Sequence, residues 1–410
     1  MNVQPHSSAR EKRGLRPLHP MSDNREDPSP SSAAPVVKGS PDVPMLLITS
    51  ILVLFGCVMV YSASAVYAEQ YHDDSTYFIV RHLIFLAMGC AASFFIVKLC
   101  TPLFWEDFSL VLFGISVLML LLVLVIGVDL GSGAKRWLNL GFFTVQPSEI
   151  AKMALVMALA KYMTKYESKI RSPYRFGGSV LYGVIYPGMM IGVIAVLIAA
   201  ERHISGLMIV GMLGISIMFL GGTKLRWIFA IGGVVVGAAC LLVLVSDYAQ
   251  ARVDTWINID QADPLGSAWQ TLQGLMAIGS GGLFGVGLGN SRQKFGYVSQ
   301  PQNDFIYTII CEELGFFGAF LVIALFAMFV WRGFYIARHA PNSFCALVTY
   351  GLTFKVGLQV ILNIAVVTNS MPNTGISLPF FSYGGTSLIL QIIEVGIILS
   401  ISRYSSHRKI

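Results

Sequence analysis

Residues 108–128 read FSLVLFGISVLMLLLVLVIGV, a stretch without a single charged side chain. About 20 consecutive apolar residues cross the hydrocarbon core of a bilayer as a helix. Lipid offers no hydrogen-bond partners, so the backbone amides of such a stretch have to pair within it. The stretch therefore predicts a transmembrane helix, within a span at 104–128.

The rest of the 410-residue chain has the same character, with 55% hydrophobic and only 12% charged residues. A soluble protein carries roughly a quarter charged residues. The apolar stretches predict ten spans, at 45–66, 79–99, 104–128, 148–166, 178–200, 204–222, 224–246, 304–331, 344–368 and 380–402. We therefore predict an all-α polytopic membrane domain of about ten transmembrane helices over residues 44–403.

Lys and Arg residues indicate the orientation of these spans, because short cytoplasmic loops retain positive charge. When ten helices are threaded, most of them fall on one side, including those of the N-terminal tail and of the connection at 161–175. Both termini are then cytoplasmic. The net charge of +6 reflects this topology rather than nucleic-acid binding.

Residues 1–43 are rich in Ser, Pro and charge and are predicted to form a disordered cytoplasmic tail. A second short tail is predicted at 404–410. The first span is predicted to be an uncleaved signal anchor. The six cysteines lack paired spacing, which favours small core fillers over disulfides or a metal site.

Two outer connections stand out. The one at 129–147 contains Lys135, Arg136 and Trp137, and it is predicted to be a short interfacial or re-entrant segment or, equally, a simple amphipathic anchor. The connection at 247–303 is the one long extracytoplasmic loop, and its second half is rich in glycine. No strand-helix unit surrounds these glycines, so close backbone packing or contact with a ligand pyrophosphate is favoured over nucleotide binding.

Charged residues inside or beside membrane spans are costly and are therefore candidates for function. Glu149 and Lys152 are three residues apart on one helical face, as a functional pair or a structural ion pair. Asp304 stands at the start of the eighth span, as a functional carboxylate or a helix N-cap. Glu312 and Glu313 follow two turns deeper, and Lys355 either snorkels or pairs.

Two further segments are unusual. Glu201, Arg202 and His203 form a polar cluster between the fifth and sixth spans, where a histidine is more often a hydrogen-bonding spacer than a catalyst. Residues 371–387, MPNTGISLPFFSYGGTS, have a composition suited to a broken helix lining a cavity or to a tight outer turn.

Four sequence blocks together resemble the SEDS family (shape, elongation, division and sporulation), which includes FtsW, RodA and SpoVE. The blocks are GAKRWLNLGFFTVQPSEIAK (133–152), WQTLQGLMAIGSGGLFGVGLGNS (269–291), NDFIYTIICEELGFFG (303–318) and PNTGISLPFFSYGGTS (372–387). The similarity covers residues 45–402 and is strongest to FtsW and SpoVE, although Thr374 follows a form typical of RodA. Each block is moderately specific, and their shared order makes chance similarity a poor explanation.

The resemblance implies a peptidoglycan glycosyltransferase that polymerises lipid II, an undecaprenyl-pyrophosphate disaccharide peptide, on the outer face of the bacterial cytoplasmic membrane. It implies Asp304 as the catalytic carboxylate, and one displacement with inversion to a β-1,4 linkage. The matching positions implied for substrate binding are Arg136, Glu149, Lys152, Glu201, His203, Gln273, Ser382 and Gly384. A class B penicillin-binding protein is the implied partner.

One departure from the family matters. The usual Glu-Pro-Asp-Phe-Gly is replaced here by Glu201, Arg202, His203, Ile204 and Ser205. The second cavity aspartate is therefore missing, and His203 or Glu201 could take its role. A divalent cation, Mg²⁺ or Mn²⁺, held near Glu149 and Asp304 is a further expectation that this departure puts in doubt.

Two other classes of function compete with the enzyme. A lipid II flippase would also need buried charges, glycine-rich segments and a cavity. A scaffold without activity, recruiting a penicillin-binding protein, is the third hypothesis, and the histidine at position 203 strengthens it.

Overall fold

The computed structural model describes residues 39–129, 135–141, 143–172, 178–245, 247–259, 261, 263, 266 and 268–405. In this part of the chain, helices carry nearly all the regular structure. They are α1 (Val43–His72), α2 (Tyr77–Leu99), α3 (Pro102–Ile126), α4 (Pro147–Lys165), α5 (Glu167–Ile170), α6 (Tyr186–Ala200), α7 (Ile204–Leu220), α8 (Leu225–Val245), α9 (Asp247–Ile257), α10 (Trp269–Ser280), α11 (Ile306–Arg338), α12 (Ser343–Val367) and α13 (Gly385–Ser402). A π-helical turn at Leu181–Ile185 leads into α6.

Seven of the described helical segments are long and apolar enough to cross a membrane. They are α1, α2, α3, the π turn with α6, α11, α12 and α13. The other three predicted spans coincide with α4, α7 and α8, where α7 and the apolar stretch Leu225–Val235 are shorter. A multi-pass, mostly helical membrane protein is thus confirmed, and the count of ten stays a prediction.

Helix α4 is the centre of the bundle. Its residues 147–160 are all buried except Ile150, and it contacts α3, α6, α7, α12 and α13. Small residues such as Ala151, Ala154 and Ala158 let the neighbouring backbones approach closely. The buried charges Glu149 and Lys152 therefore lie at the middle of the molecule rather than on a lipid-facing surface.

Helix α11 is interrupted at Gly315, which has a φ of 64° and a ψ of −164°. The segment 281–291, here called the inserted segment, lies against this break. Four backbone hydrogen bonds join the two: Phe316 N to Gly282 O (2.9 Å), Phe317 N to Leu283 O (3.2 Å), Val286 N to Glu312 O (3.0 Å) and Gly287 N to Glu313 O (3.0 Å). The inserted segment thus satisfies backbone groups that the broken helix leaves free.

The carboxylates Glu312 and Glu313 hold the same segment in place. Ser291 Oγ donates to Glu312 Oε2 (2.5 Å), and Lys294 Nζ donates to Glu313 Oε1 (3.1 Å). Ser62 of α1 donates to the other Glu313 oxygen (2.6 Å). The deep position of these two acids is therefore explained by packing, and the glycine-rich run is used for close backbone contact.

The connections at 129–147 and 247–303 contain regular secondary structure. Residues 129–147 contain a short antiparallel hairpin, β1 (Leu138–Asn139) and β2 (Thr144–Val145), while 130–134 and 142 lie outside the described residues. The long loop holds α9 and α10. The last span was predicted to start at 380, but α13 begins at Gly385, because Leu378 N donates to Ser382 Oγ (2.7 Å) in a turn.

The predictions for the two tails fall largely outside the described residues, at 1–38 and 406–410. Residues 39–42 pack against the bundle: Gly39 N donates to Arg403 O (2.9 Å), and Arg332 donates to Asp42 Oδ2 (2.7 Å). Among the described cysteines, Cys57, Cys90, Cys100, Cys311 and Cys345 are free thiols.

Candidate functional site

A cavity of about 620 Å³ opens where most of the unusual sequence segments meet. Its walls come from the N-terminal part of α2, the β hairpin, the start of α4, the start of α7, the turn before α11, α12 and the segment 375–387. Of the two interpretations of residues 371–387, a broken helix lining a cavity or a tight outer turn, the cavity lining is found: Gly375, Ile376, Ser377 and Tyr383 line it. The predicted broken helix is not found there, because residues 371–384 form no helix and α13 begins at Gly385.

Asp304 lies in the turn before α11 and lines the cavity. Asn363 of α12 fixes its backbone, because Asn363 Nδ2 donates both to Asp304 O (2.7 Å) and to Ile376 O (2.6 Å). The N-cap of α11 is Phe305, without a side-chain hydrogen bond. An N-cap role therefore does not account for the aspartate.

Burial raises the pKa of the Asp304 carboxyl to about 6, although Arg252 nearby favours the charged form. A carboxylate with this pKa is ionised at neutral pH, yet it is a stronger base than an exposed aspartate. Geometry and charge together make Asp304 suited to accept a proton.

Glu149 and Lys152 form the predicted ion pair through Glu149 Oε1. The pair continues inward, because Lys355 Nζ lies 3.5 Å from Glu149 Oε2 and 2.6 Å from Glu394 Oε1. All four side chains are at most 7% exposed. Lys355 therefore pairs rather than snorkels, and the four charges link α4, α12 and α13.

Arg136 reaches the cavity from the residues before β1. Its guanidinium donates to the carbonyls of Glu201 (3.4 Å) and Arg202 (2.6 Å). Arg202 presents its carbonyl from a left-handed conformation with a φ of 53°. This turn between α6 and α7 therefore orients the arginine beside the cavity.

The two side chains that could replace the missing aspartate behave differently. His203 lines the cavity, and its Nδ1 lies 3.4 Å from Ser148 Oγ. Burial lowers the pKa of His203 to about 3, with Lys152 and Arg136 adding to the effect, so the ring is neutral at pH 7. Burial raises the pKa of Glu201 to about 8 despite Arg136, and neither carboxyl oxygen of Glu201 has a hydrogen-bond partner within the described residues.

The structure brings together most of the residues predicted to bind substrate. Five of the eight line the cavity, together with the predicted catalytic residue Asp304: Arg136, Glu149, Lys152, His203 and Gly384. Three are absent from its described lining: Glu201 is buried behind Arg136, Gln273 is buried on α10, and Ser382 accepts the turn hydrogen bond from Leu378. The position of these three favours structural roles.

Sequence reasoning missed several residues of the site. Arg81 and Gln359 line the cavity, and Gln359 Oε1 is buried without a hydrogen-bond partner in the described part of the chain. Glu394 and Asn363 stand behind it. The signals were isolated polar residues in apolar spans, such as the single acid in LILQIIEVGIIL at 388–399.

The described side chains do not form a metal site by themselves. Among the described residues, no group of three or more His, Cys, Asp and Glu side chains is arranged to hold an ion. Asp304 and Glu149 line the cavity, but Glu149 already contacts two lysines. Mg²⁺ is often held by one or two carboxylates together with substrate phosphates, so a cation that arrives with substrate stays a prediction.

Comparisons with known proteins match nearly the whole described chain. The profile of the FtsW/RodA/SpoVE family, described as cell cycle protein, matches residues 43–407. Stage V sporulation protein E of Bacillus subtilis (strain 168) is 40% identical over 372 residues, which cover 90% of this chain and 99% of that protein. The probable peptidoglycan glycosyltransferase FtsW of Coxiella burnetii is 35% identical over 372 residues, covering 89% and 97%.

Solved structures share the same fold. The crystal structure of the rod shape determining protein RodA of Thermus thermophilus superposes with a TM-score of 0.66 at 25% identity, covering 89% of this chain and 98% of that one. A chain in a structure described as "Structural coordination of polymerization and crosslinking by a peptidoglycan synthase complex" gives a TM-score of 0.71 at 26% identity, covering 88% and 98%.

Proposed function

Because this chain belongs to the FtsW/RodA/SpoVE family of cell cycle proteins, we propose that it is a peptidoglycan glycosyltransferase that polymerises lipid II. The observation that carries the proposal is Asp304, held by Asn363 in the wall of a cavity of about 620 Å³ that Arg136, Glu149 and Lys152 also line. Relatives named peptidoglycan glycosyltransferase support the reaction class. The protein acts, in this proposal, at the outer face of the bacterial cytoplasmic membrane.

Asp304 acts as the general base. It accepts the proton of the acceptor sugar hydroxyl while that oxygen attacks the anomeric carbon of the donor, and the lipid diphosphate leaves. Positioned proton transfer contributes roughly 10² to 10⁴ in rate, and alignment of the two sugars supplies much of the rest. One displacement inverts an α-linked donor to a β-1,4 product, so no covalent sugar intermediate forms.

Cationic side chains stabilise the diphosphate that leaves. Arg136 and Lys152 line the same cavity as Asp304, and each is oriented by partners of its own, the carbonyls of the α6–α7 turn and Glu149. Positive charges held beside the position of the leaving group stabilise a departing anion. No ATP is required, because the diphosphate linkage carries its own activation.

The neutral His203 supplies a hydrogen bond rather than a charge. It stands where the family resemblance implies an aspartate, and its contact with Ser148 places it beside Glu149 and Lys152. Its role in the proposal is to bind an uncharged group of the substrate. A class B penicillin-binding protein, which would crosslink the new strands, is the proposed partner, in keeping with the synthase complex among the structural matches.

The test is polymerisation of labelled lipid II by the purified protein in proteoliposomes. Wild type is expected to produce glycan polymer, and Asp304→Ala none. Asp254→Ala is the matched control, because Asp254 is an exposed outer aspartate on α9 away from the described cavity lining. Unchanged polymer from Asp304→Ala contradicts the assigned base.

Two outcomes of the same experiment favour the competing functions. Transfer of lipid II between leaflets without polymer, measured with an impermeant reagent, favours a flippase. Polymer that requires an added penicillin-binding protein and is insensitive to Asp304→Ala favours a scaffold.

A further inference from the structure

The charge network behind the cavity has a front and a rear. Glu149 and Lys152 line the cavity, whereas Lys355 and Glu394 are absent from its described lining and are fully buried. The two pairs meet at one carboxylate, because Glu149 contacts Lys152 through Oε1 and Lys355 through Oε2. Lys355 and Glu394 are here called the rear pair. Lys355 Nζ lies closer to Glu394 (2.6 Å) than to Glu149 (3.5 Å).

This arrangement provides Glu149 with a second positive partner when substrate binds Lys152. A diphosphate that attracts Lys152 weakens the contact of Lys152 with Glu149. A buried carboxylate that loses its only partner is strongly destabilised. Glu149 has a second lysine within reach, and its Oε2 has no hydrogen bond yet among the described residues, so Lys355 can close the 3.5 Å gap as Lys152 turns away.

Glu394 determines how strongly Lys355 can stabilise the charge of Glu149 when Lys152 moves away. Its Oε1 holds Lys355, while its Oε2 is buried without a hydrogen-bond partner in the described part of the chain. Lys355 is therefore shared between two carboxylates in an apolar environment, where such contacts are strong. A shift of Lys355 toward Glu149 is balanced by a weaker hold from Glu394.

We propose that Lys355 and Glu394 are positioning residues that let Lys152 exchange part of its contact with Glu149 for the diphosphate of a bound lipid-linked sugar. This inference rests on the proposed function, because it takes a prenyl diphosphate as the ligand of Lys152. It assigns the rear pair to substrate affinity rather than to the fold alone.

Equilibrium binding of undecaprenyl diphosphate to the full-length protein in nanodiscs tests the proposal without requiring turnover. The double variant Lys355→Met with Glu394→Met removes both rear charges together, and replacing a buried ion pair by apolar residues of similar volume is often neutral for folding. Thermal unfolding confirms that each variant is folded. The double variant is expected to bind about tenfold more weakly than wild type.

A double-mutant cycle between the rear pair and Lys152 distinguishes a positioning role from a packing role, with binding affinity as the measured quantity. In a Lys152→Met background, the rear double variant is expected to change affinity by less than about twofold, since the rear pair acts through Lys152. An equal loss of affinity in both backgrounds overturns the proposal, as does unchanged affinity in the wild-type background.

The single variant Glu394→Gln is expected to change the affinity for undecaprenyl diphosphate in the opposite direction. It keeps the proposal testable if the double variant does not fold. Lys355 released from Glu394 turns to Glu149, which then holds Lys152 less firmly, so binding of undecaprenyl diphosphate is expected to become tighter. Weaker binding overturns the proposal.

The two proposals can fail separately. If the cycle behaves as expected while lipid II is not polymerised, the proposed function fails and the anion site stands. If lipid II is polymerised while the effects in the cycle are additive, the proposed function stands and the positioning role of the rear pair fails.

Discussion

At the scale of single residues, the surroundings of Asp304 change the basicity of its carboxylate. Asp304 lies in an ordinary turn before α11. Asn363 and the segment at Gly375 and Ile376 pack around this turn. A Cβ at Gly375 would lie 3.6 Å from Asp304 Oδ2, so this backbone segment lies directly against the carboxylate. Burial on this scale is what moves the pKa of the carboxyl toward neutrality.

The pH dependence of polymerisation follows from this pKa. Because Asp304 has to be deprotonated to act as base, kcat/KM is expected to rise about tenfold per pH unit below 6 and to level off above it. Initial rates with labelled lipid II between about pH 4.5 and 8 measure this. A rise centred near pH 4, the range of an exposed aspartate, argues against Asp304 as the base.

Glu201 gives a second pH effect, on stability. Its pKa is raised in the folded protein to about 8, so the folded state binds the proton more tightly than the unfolded chain does. Wild type is therefore expected to lose stability relative to Glu201→Gln as pH rises from about 4.5 to 8, on the order of 1 to 3 kcal/mol. Thermal unfolding of both proteins at the two pH values measures the difference, and a constant difference contradicts the assignment.

At the scale of secondary structure elements, the break in α11 and the inserted segment form one unit. Each supplies the hydrogen bonds that the other lacks, and the contact is close enough to exclude side chains. A Cβ at Gly281 would lie 1.9 Å from Cys311 O, although Gly281 itself has ordinary helical angles. The glycine is required for space, not for backbone conformation.

Substitution of this glycine is expected to be costly. Gly281→Ala should destabilise the protein by about 1 to 3 kcal/mol or more, because the backbone has to move to admit a methyl group. Gly279→Ala is the matched control: it lies on α10 with nothing within 4 Å of the added Cβ, and it should be neutral or slightly stabilising. Similar melting temperatures for the two variants would show that the contact is not tight.

The elements also show what the sequence could and could not predict. Apolar length located the spans, and the spacing of Glu149 and Lys152 correctly predicted an ion pair. Hydropathy does not report hydrogen-bond partners between distant segments, so the break at Gly315 and the start of α13 at Gly385 escaped it. The catalytic proposal needed only a local motif, whereas the rear pair of Lys355 and Glu394 joins residues 39 positions apart.

At the scale of the whole molecule, orientation decides whether the cavity can reach its substrate. The distribution of Lys and Arg predicts that the loop before α11 faces the outside and that the α4–α6 connection faces the cytoplasm. Tyrosines and lysines cluster at the second of these, where Lys169 Nζ lies 4.5 Å from the ring centroid of Tyr182. Such amphipathic groups are typical of a membrane interface.

Cysteine labelling in a background with all six native cysteines replaced tests this orientation. A cysteine at the exposed Ser299 should react with a membrane-impermeant maleimide in intact cells, and one at the exposed Ser168 only after permeabilisation. Labelling of both after permeabilisation is the control for accessibility. The reverse pattern would place Asp304 in the cytoplasm, away from the proposed site of polymerisation.

The inserted segment also constrains how the protein is made. Four of its amide and carbonyl groups have their partners on α11, which follows it in the chain, so residues 281–291 lack these partners until α11 has been synthesised. A nascent chain that stops before Glu312 therefore leaves all four of these hydrogen bonds unmade.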